Sequence, residues 1–180
     1  EAVLPPGVST AARPWAHASA PNKNGKPQAW EVSYQRFAQG GHPQAIAMQN
    51  EKGVQLDTIG SHILKALEQG MPVDLPRLSE TWKKPPSRAE WALLEEAEMA
   101  LGIDVAAHEP KAASGMLAYF LPAHEKPFAE RTDAENETIR EWRVRLNWYS
   151  ALRRANIAPQ FTEDGAKAKR QRVLPASMAR

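Results

Sequence analysis

Two groups of side chains have types and spacing that could do chemistry. Thr58, Ser61, His62 and Lys65 recur at the i, i+3, i+4, i+7 positions of a helix and so share one face. A hydroxyl pair, an imidazole and an ammonium on one face can bond to base edges or phosphates. Lys167, Lys169, Arg170 and Arg172 form the second group, a run of cations suited to salt-sensitive attachment to a phosphate backbone without reading sequence. For His62 a second reading is preferred, a structural bond to the neighbouring helix.

Catalytic chemistry has no comparable foothold. The five histidines lack metal-ligand spacing, and His124-Glu125 has no second histidine to complete H-E-x-x-H. With no cysteine there is neither a thiol nucleophile nor a disulfide. No G-x-S-x-G elbow occurs. Glu95, Glu96 and Glu98 cluster on one predicted helix, where adjacent acids are expected to form a solvated face. Asn136-Glu137-Thr138 matches a glycosylation acceptor but falls in the first turn of a predicted helix, and chance explains it better. The expectation is a non-enzymatic protein with no cofactor, no metal and no small-molecule substrate.

The elements that position these groups are helices. Trp30, Tyr34 and Phe37 make one apolar face of a first helix over about 30–38, closed by Gly40-Gly41. Pro43 opens a short second helix, and Gly53 supplies the turn. Asp57 is expected to cap a third helix whose buried stripe is Ile59, Ile63, Ala66 and Leu67, with Gly70 as its left-handed stop. A break follows through Trp82 to Pro86. Ser87-Arg88-Ala89-Glu90 is a capping box for a helix to Leu101, with Trp91, Leu94, Ala97 and Leu101 inward and Gly102 as the stop. Met116–Leu121 is a short apolar helix or strand ended by Pro122. Thr132-Asp133-Ala134-Glu135 is a second capping box, for a helix to about Ala155 with Ile139, Trp142, Leu146 and Tyr149 inward. Arg140, Arg143, Arg153 and Arg154 are expected to point elsewhere.

Both ends read as arms. Several of the 15 prolines break any pattern over residues 1–27, and residues 161–180 carry little apolar periodicity. Such arms cannot bury enough apolar surface to order alone, so a partner is expected to hold them. Trp15 and Trp82, in Pro-rich irregular stretches, are the expected partner anchors, whereas Trp30, Trp91 and Trp142 belong to a core. Net charge is +2 but unevenly spread, at +3 for residues 1–89, −7 for 90–140 and +6 for 141–180, which suggests a dipolar molecule. No apolar run is long enough to span a bilayer. A chain opening on Glu1 rather than Met suggests a processed protein of the mitochondrial matrix.

Several phrases then resemble one family. Ser33-Tyr34-Gln35-Arg36-Phe37, Gly41-His42-Pro43, Thr58-Ile59-Gly60-Ser61-His62-Ile63 and Gly70-Met71-Pro72-Val73-Asp74-Leu75 are similar to the helix-turn-helix at the C-terminus of RecQ-type helicases. There a "T-I-x-x-H-L" phrase opens the recognition helix and "G-x-P-x-D-L" follows it. The resemblance covers roughly residues 30–146 and is specific in its first half. It implies a winged-helix-like fold with a nucleic-acid-facing third helix. Helicase activity is not implied, because the phosphate-cradling G-x-x-x-x-G-K-[ST] loop is missing.

The sequence therefore predicts an all-α fold: an extended arm over 1–29, a helix-turn-helix over 30–78, a helical second half of the same domain over 79–156 and a basic tail over 157–180. The leading functional expectation is an accessory structural subunit of a large ribonucleoprotein, most plausibly a mitochondrial ribosome, docking through the helix-turn-helix and extended arms and contacting rRNA, chiefly by the basic tail, and neighbouring proteins. Two alternatives stand beside it. One is a DNA-binding helix-turn-helix module, the other a protein-contacting scaffold subunit of an organellar membrane or metabolic complex.

Overall fold

The structure, a computed structural model, describes residues 1–18, 25–49, 53–108 and 110–162. Among the described residues seven α-helices dominate: α1 (Ala29–Ala38), α2 (Pro43–Met48), α3 (Leu56–Glu68), α4 (Leu75–Thr81), α5 (Arg88–Leu101), α6 (Pro110–Phe120) and α7 (Asp133–Arg154). Four two-residue strands accompany them: β1 (Ala2–Val3), β2 (Val8–Ser9), β3 (Val73–Asp74) and β4 (Gln160–Phe161). The chain is thus mostly helical with minor strands.

Helix α3 is the axis of the fold. Its stripe of Ile59, Ile63, Ala66 and Leu67 is wholly buried, and α1, α2 and α7 pack around it. Truncating any one of the larger stripe residues would cost about 2–5 kcal/mol. Gly70, at φ +81°, closes the helix as its position suggests, while the Met71 N–H reaches back to the Ala66 carbonyl at 3.0 Å. Asp57 is not the cap. The N-cap is Gln55, and Asp57 lies in the first turn, where its carboxylate accepts from the Trp82 indole at 3.0 Å and faces Lys83 at 4.0 Å. As a helical residue of the first turn, Asp57 favours the helix N-terminus by its charge rather than as a cap.

Helix α4 is absent from the sequence-based expectation, and the 78/79 boundary falls inside it. Its start is nevertheless marked, because the Asp74 carboxylate accepts from the Arg77 N–H at 3.0 Å and Pro76 occupies the second helical position. Seven residues are too few for periodicity to show. The two capping boxes form as expected, Ser87 with Glu90 and Thr132 with Glu135. Leu101 differs from expectation by being exposed, since α5 ends there and Gly102 turns the chain away at φ +62°.

The described residues of the N-terminal stretch make extensive contacts with their own domain, which the expectation of a free arm did not foresee. β1 pairs antiparallel with β4 (Ala2 with Phe161, Val3 with Gln160), and β2 pairs with β3 (Val8 with Asp74, Ser9 with Val73). Trp15 is 7% exposed, its backbone N–H donating to the Glu68 carbonyl and its indole to the Ala106 carbonyl, each at 2.7 Å. Trp82 likewise turns inward. Its ring stacks on Trp148 with centroids 6.0 Å apart, and it covers Gly60. Both supposed anchors are therefore used within the chain.

Gly60 is a tight point in that packing. A Cβ built there would lie 2.2 Å from two Trp82 ring atoms. Gly→Ala inside a helix ordinarily gains up to about 1 kcal/mol, whereas forcing an overpacked ring aside costs about 1–3 kcal/mol. Gly60→Ala should therefore destabilise the protein by about 1 kcal/mol in urea unfolding. In a Trp82→Leu background the same change should become neutral or favourable. Equal stability of Gly60→Ala and the parent chain would refute the close contact.

Candidate nucleic-acid interface

The face of α3 opposite its core stripe looks onto α7, and a cleft runs between the two helices. Asn147 of α7 donates to the Ser61 hydroxyl of α3 at 2.9 Å, and this bridge lies between two hollows of about 600 and 450 Å³. Ser61, Asn147 and Arg143 border both. The larger hollow adds Lys65, Glu68, His124, Ser150 and Arg154. The smaller adds Thr58, His62, Phe128, Arg131, Asn136 and Arg140. Volumes of this order match those of small-molecule sites, about 300–1,000 Å³.

All four predicted readers border this cleft, but they are not equally free. Thr58 is exposed at its edge. Ser61 donates to the Asp57 carbonyl at 2.7 Å while accepting from Asn147, so its hydroxyl is committed to the fold. His62 Nδ1 lies 2.9 Å from the Ser33 hydroxyl, which is itself 3.0 Å from the Ala29 carbonyl. One arrangement satisfies both contacts: Nδ1–H donates to Ser33, and Ser33 donates onward to Ala29. The imidazole thus bonds to the neighbouring helix, as the preferred sequence reading has it. Its Nε2 remains as an acceptor, which is a poor phosphate ligand but can take a hydroxyl or an amine.

Lys65 keeps its charge available. Neither Lys65 nor Arg143 makes a hydrogen bond or ion pair among the described residues, and they approach the larger hollow from opposite helices. Ser150, buried on the same wall, has a side-chain oxygen with no hydrogen-bond partner among the described residues. Arg140 is ion-paired with Glu137 at 2.6 Å on the exposed surface, which binds it only weakly. The tail cations Lys167, Lys169, Arg170 and Arg172 lie outside the described residues.

Sequence reasoning misplaces one arginine and one acid. Arg154 does not point away. Its side chain is 8% exposed, donates to Glu68 at 2.7 Å and to the Val105 carbonyl at 2.9 Å, and lies 3.8 Å from the Trp15 ring centroid. Glu98, expected on a solvated face, is buried, accepting from the Val105 N–H at 2.7 Å and from the Tyr149 hydroxyl, with Arg153 at 3.5 Å. Desolvation and then the bond to Glu98 push the Tyr149 hydroxyl far above its usual range. No local pattern marks either residue, because both partners are distant in sequence.

Arg131 and Phe128 are also unforeseen members of the site. Arg131 donates from Nε to the Lys126 carbonyl at 2.9 Å and from Nη2 to the His124 carbonyl at 2.7 Å, bracing the two 3₁₀ turns of 122–125 and 128–130. Lys126 and the Thr132 backbone hold the Glu135 carboxyl down to about 2. Among the described residues no group of three or more His, Asp or Glu could hold a metal ion, and no helix is long and apolar enough to cross a membrane.

Burial, and then the Lys65 ammonium, lower the His62 pKa from 6.5, so this imidazole is neutral at pH 7. His124 is lowered in the same direction by burial, Arg143 and Arg131. As pH falls below 6.5 the unfolded chain takes up these protons first, so stability is complete above that pH and declines through the folded pKa values. Urea unfolding between about pH 7.5 and 5.5 should show this decline, and His62→Gln should flatten it in part, His124→Gln taking the remainder. An unchanged slope in both variants would show that neither imidazole is held neutral.

The chain matches no protein-family model, and no match to it is found among curated proteins or solved structures.

Proposed function

We propose that this protein is a non-enzymatic accessory subunit of a large ribonucleoprotein, attached to RNA through the α3–α7 cleft. The carrying observation is that Lys65 and Arg143, on opposite walls of one hollow, make no hydrogen bond or ion pair among the described residues. A phosphate seated between them would be drawn to both charges, with the guanidinium as the stronger, forked donor. The acceptor left on His62 suits a 2′-hydroxyl, the group by which RNA differs from DNA at a given site.

On this reading α1, α2 and α3 are the helix-turn-helix of a winged-helix-like domain, with α3 in the recognition position. A duplex major groove needs a projecting helix, about 10–12 Å across, entering a groove of about 12 Å. Here α3 is flanked by α1 and α7 and capped by Trp82 at Gly60, so its polar face is recessed. That recess favours an irregular or single strand over a groove, and RNA attachment over duplex DNA reading. The basic tail residues Lys167, Lys169, Arg170 and Arg172 would add sequence-independent phosphate contacts. An organellar ribosome is the first assembly to test.

Two measurements check this. The native protein should co-sediment with a ribonucleoprotein particle and leave it after nuclease treatment; migration with a membrane complex instead would sink the reading. The purified full chain should retain a labelled RNA at low salt, and Lys65→Ala/Arg143→Ala should weaken it with a salt slope shallower by about 0.7 per lost contact. Undiminished binding by that double variant would remove the cleft from the interface.

A further inference from the structure

Phe128 is 76% exposed, which the fold does not require of it. It opens a 3₁₀ turn and borders the smaller hollow together with Thr58, His62, Arg131 and Arg143. The loop that carries it is pinned. Arg131 is bonded to two carbonyls within it, and the Lys126–Glu135 ion pair, at 2.6 Å, ties it to the start of α7. An aromatic ring held in water by a braced loop, beside a cleft whose Arg143 guanidinium is unpaired among the described residues, combines the two parts of a single-strand site. The cation tracks the backbone and the ring stacks a base.

We propose that the cleft takes an unpaired RNA segment, with Phe128 as the platform for one unstacked base and Arg143, shared by both hollows, as the contact to the adjoining phosphate. This rests on the cleft being the RNA site proposed above. A base inside a duplex is already stacked on its neighbours and cannot offer its face to the ring. Phe128 therefore selects unpaired RNA, whereas Lys65 and Arg143 attract phosphate in any strand.

The test measures binding of the full chain to a labelled oligouridine of about ten nucleotides and to an RNA duplex by fluorescence anisotropy across a salt series. Phe128→Ala should weaken the oligouridine on the order of tenfold, leave the salt slope unchanged and leave the duplex unaffected, with Phe128→Trp restoring affinity. Being exposed, Phe128 can be replaced without disturbing the core, and unchanged unfolding of the variant verifies it. Equal binding by Phe128→Ala and the parent, with Lys65→Ala/Arg143→Ala still impaired, overturns the stacking role and spares the cleft. Failure of the parent chain to bind either RNA at low salt overturns both.

Discussion

The ion pair between Glu68 and Arg154 sets the geometry on which the cleft depends. Glu68 ends α3 and Arg154 ends α7, so the pair pins the two helices together at one end of the gap between them. Removing two charges from water is costly, and burial indeed raises the Glu68 carboxyl above its ordinary range despite the arginine beside it. The cost is offset by further bonds. Arg154 also donates to Val105, and its guanidinium lies against the Trp15 ring, a desolvated cation–π contact worth about 2 kcal/mol. Trp15 in turn bonds to the Glu68 and Ala106 carbonyls, so one guanidinium gathers the N-terminal segment, α3, the 103–108 turn and α7.

The uneven charge along the chain takes on a different meaning once it is folded. Residues 90–140 carry most of the acids and residues 141–154 several of the arginines, and the fold brings the two together. Glu90 meets Arg145 at 2.5 Å, while Glu98 and Asp104 share Arg153. What looks like a long dipole in sequence is, over these stretches, complementarity between α5 with its following turn and α7. Arg143 has no ion-pair partner among the described residues, and with Lys65 it gives the cleft its charge.

Local signals were legible and non-local ones were not. The capping boxes at Ser87 and Thr132 and the left-handed stops at Gly70 and Gly102 depend on neighbours within a turn, so residue order alone exposes them. The buried stripe of α3 is periodic and equally plain. Asp57 misleads because an indole 25 positions away takes its carboxylate. Trp15 and Trp82 read as anchors because Pro-rich surroundings hide the surfaces they meet. Half the site was visible, as the α3 face carrying Thr58, Ser61, His62 and Lys65. The other half, Arg143, Arg131 and Phe128, lies about 70 positions downstream and joins it only when α7 packs on α3.

The pairing of β1 with β4 also brings the first and last described residues side by side. The Glu1 ammonium donates to the Thr162 hydroxyl at 3.1 Å, and the Thr162 N–H donates to the Glu1 carbonyl at 3.0 Å. In topological terms the described chain is nearly a closed ring. The β1–β4 pair therefore ties the first described residues to the last, and residues 2 and 3 lose their backbone partners if residues 160 and 161 are removed.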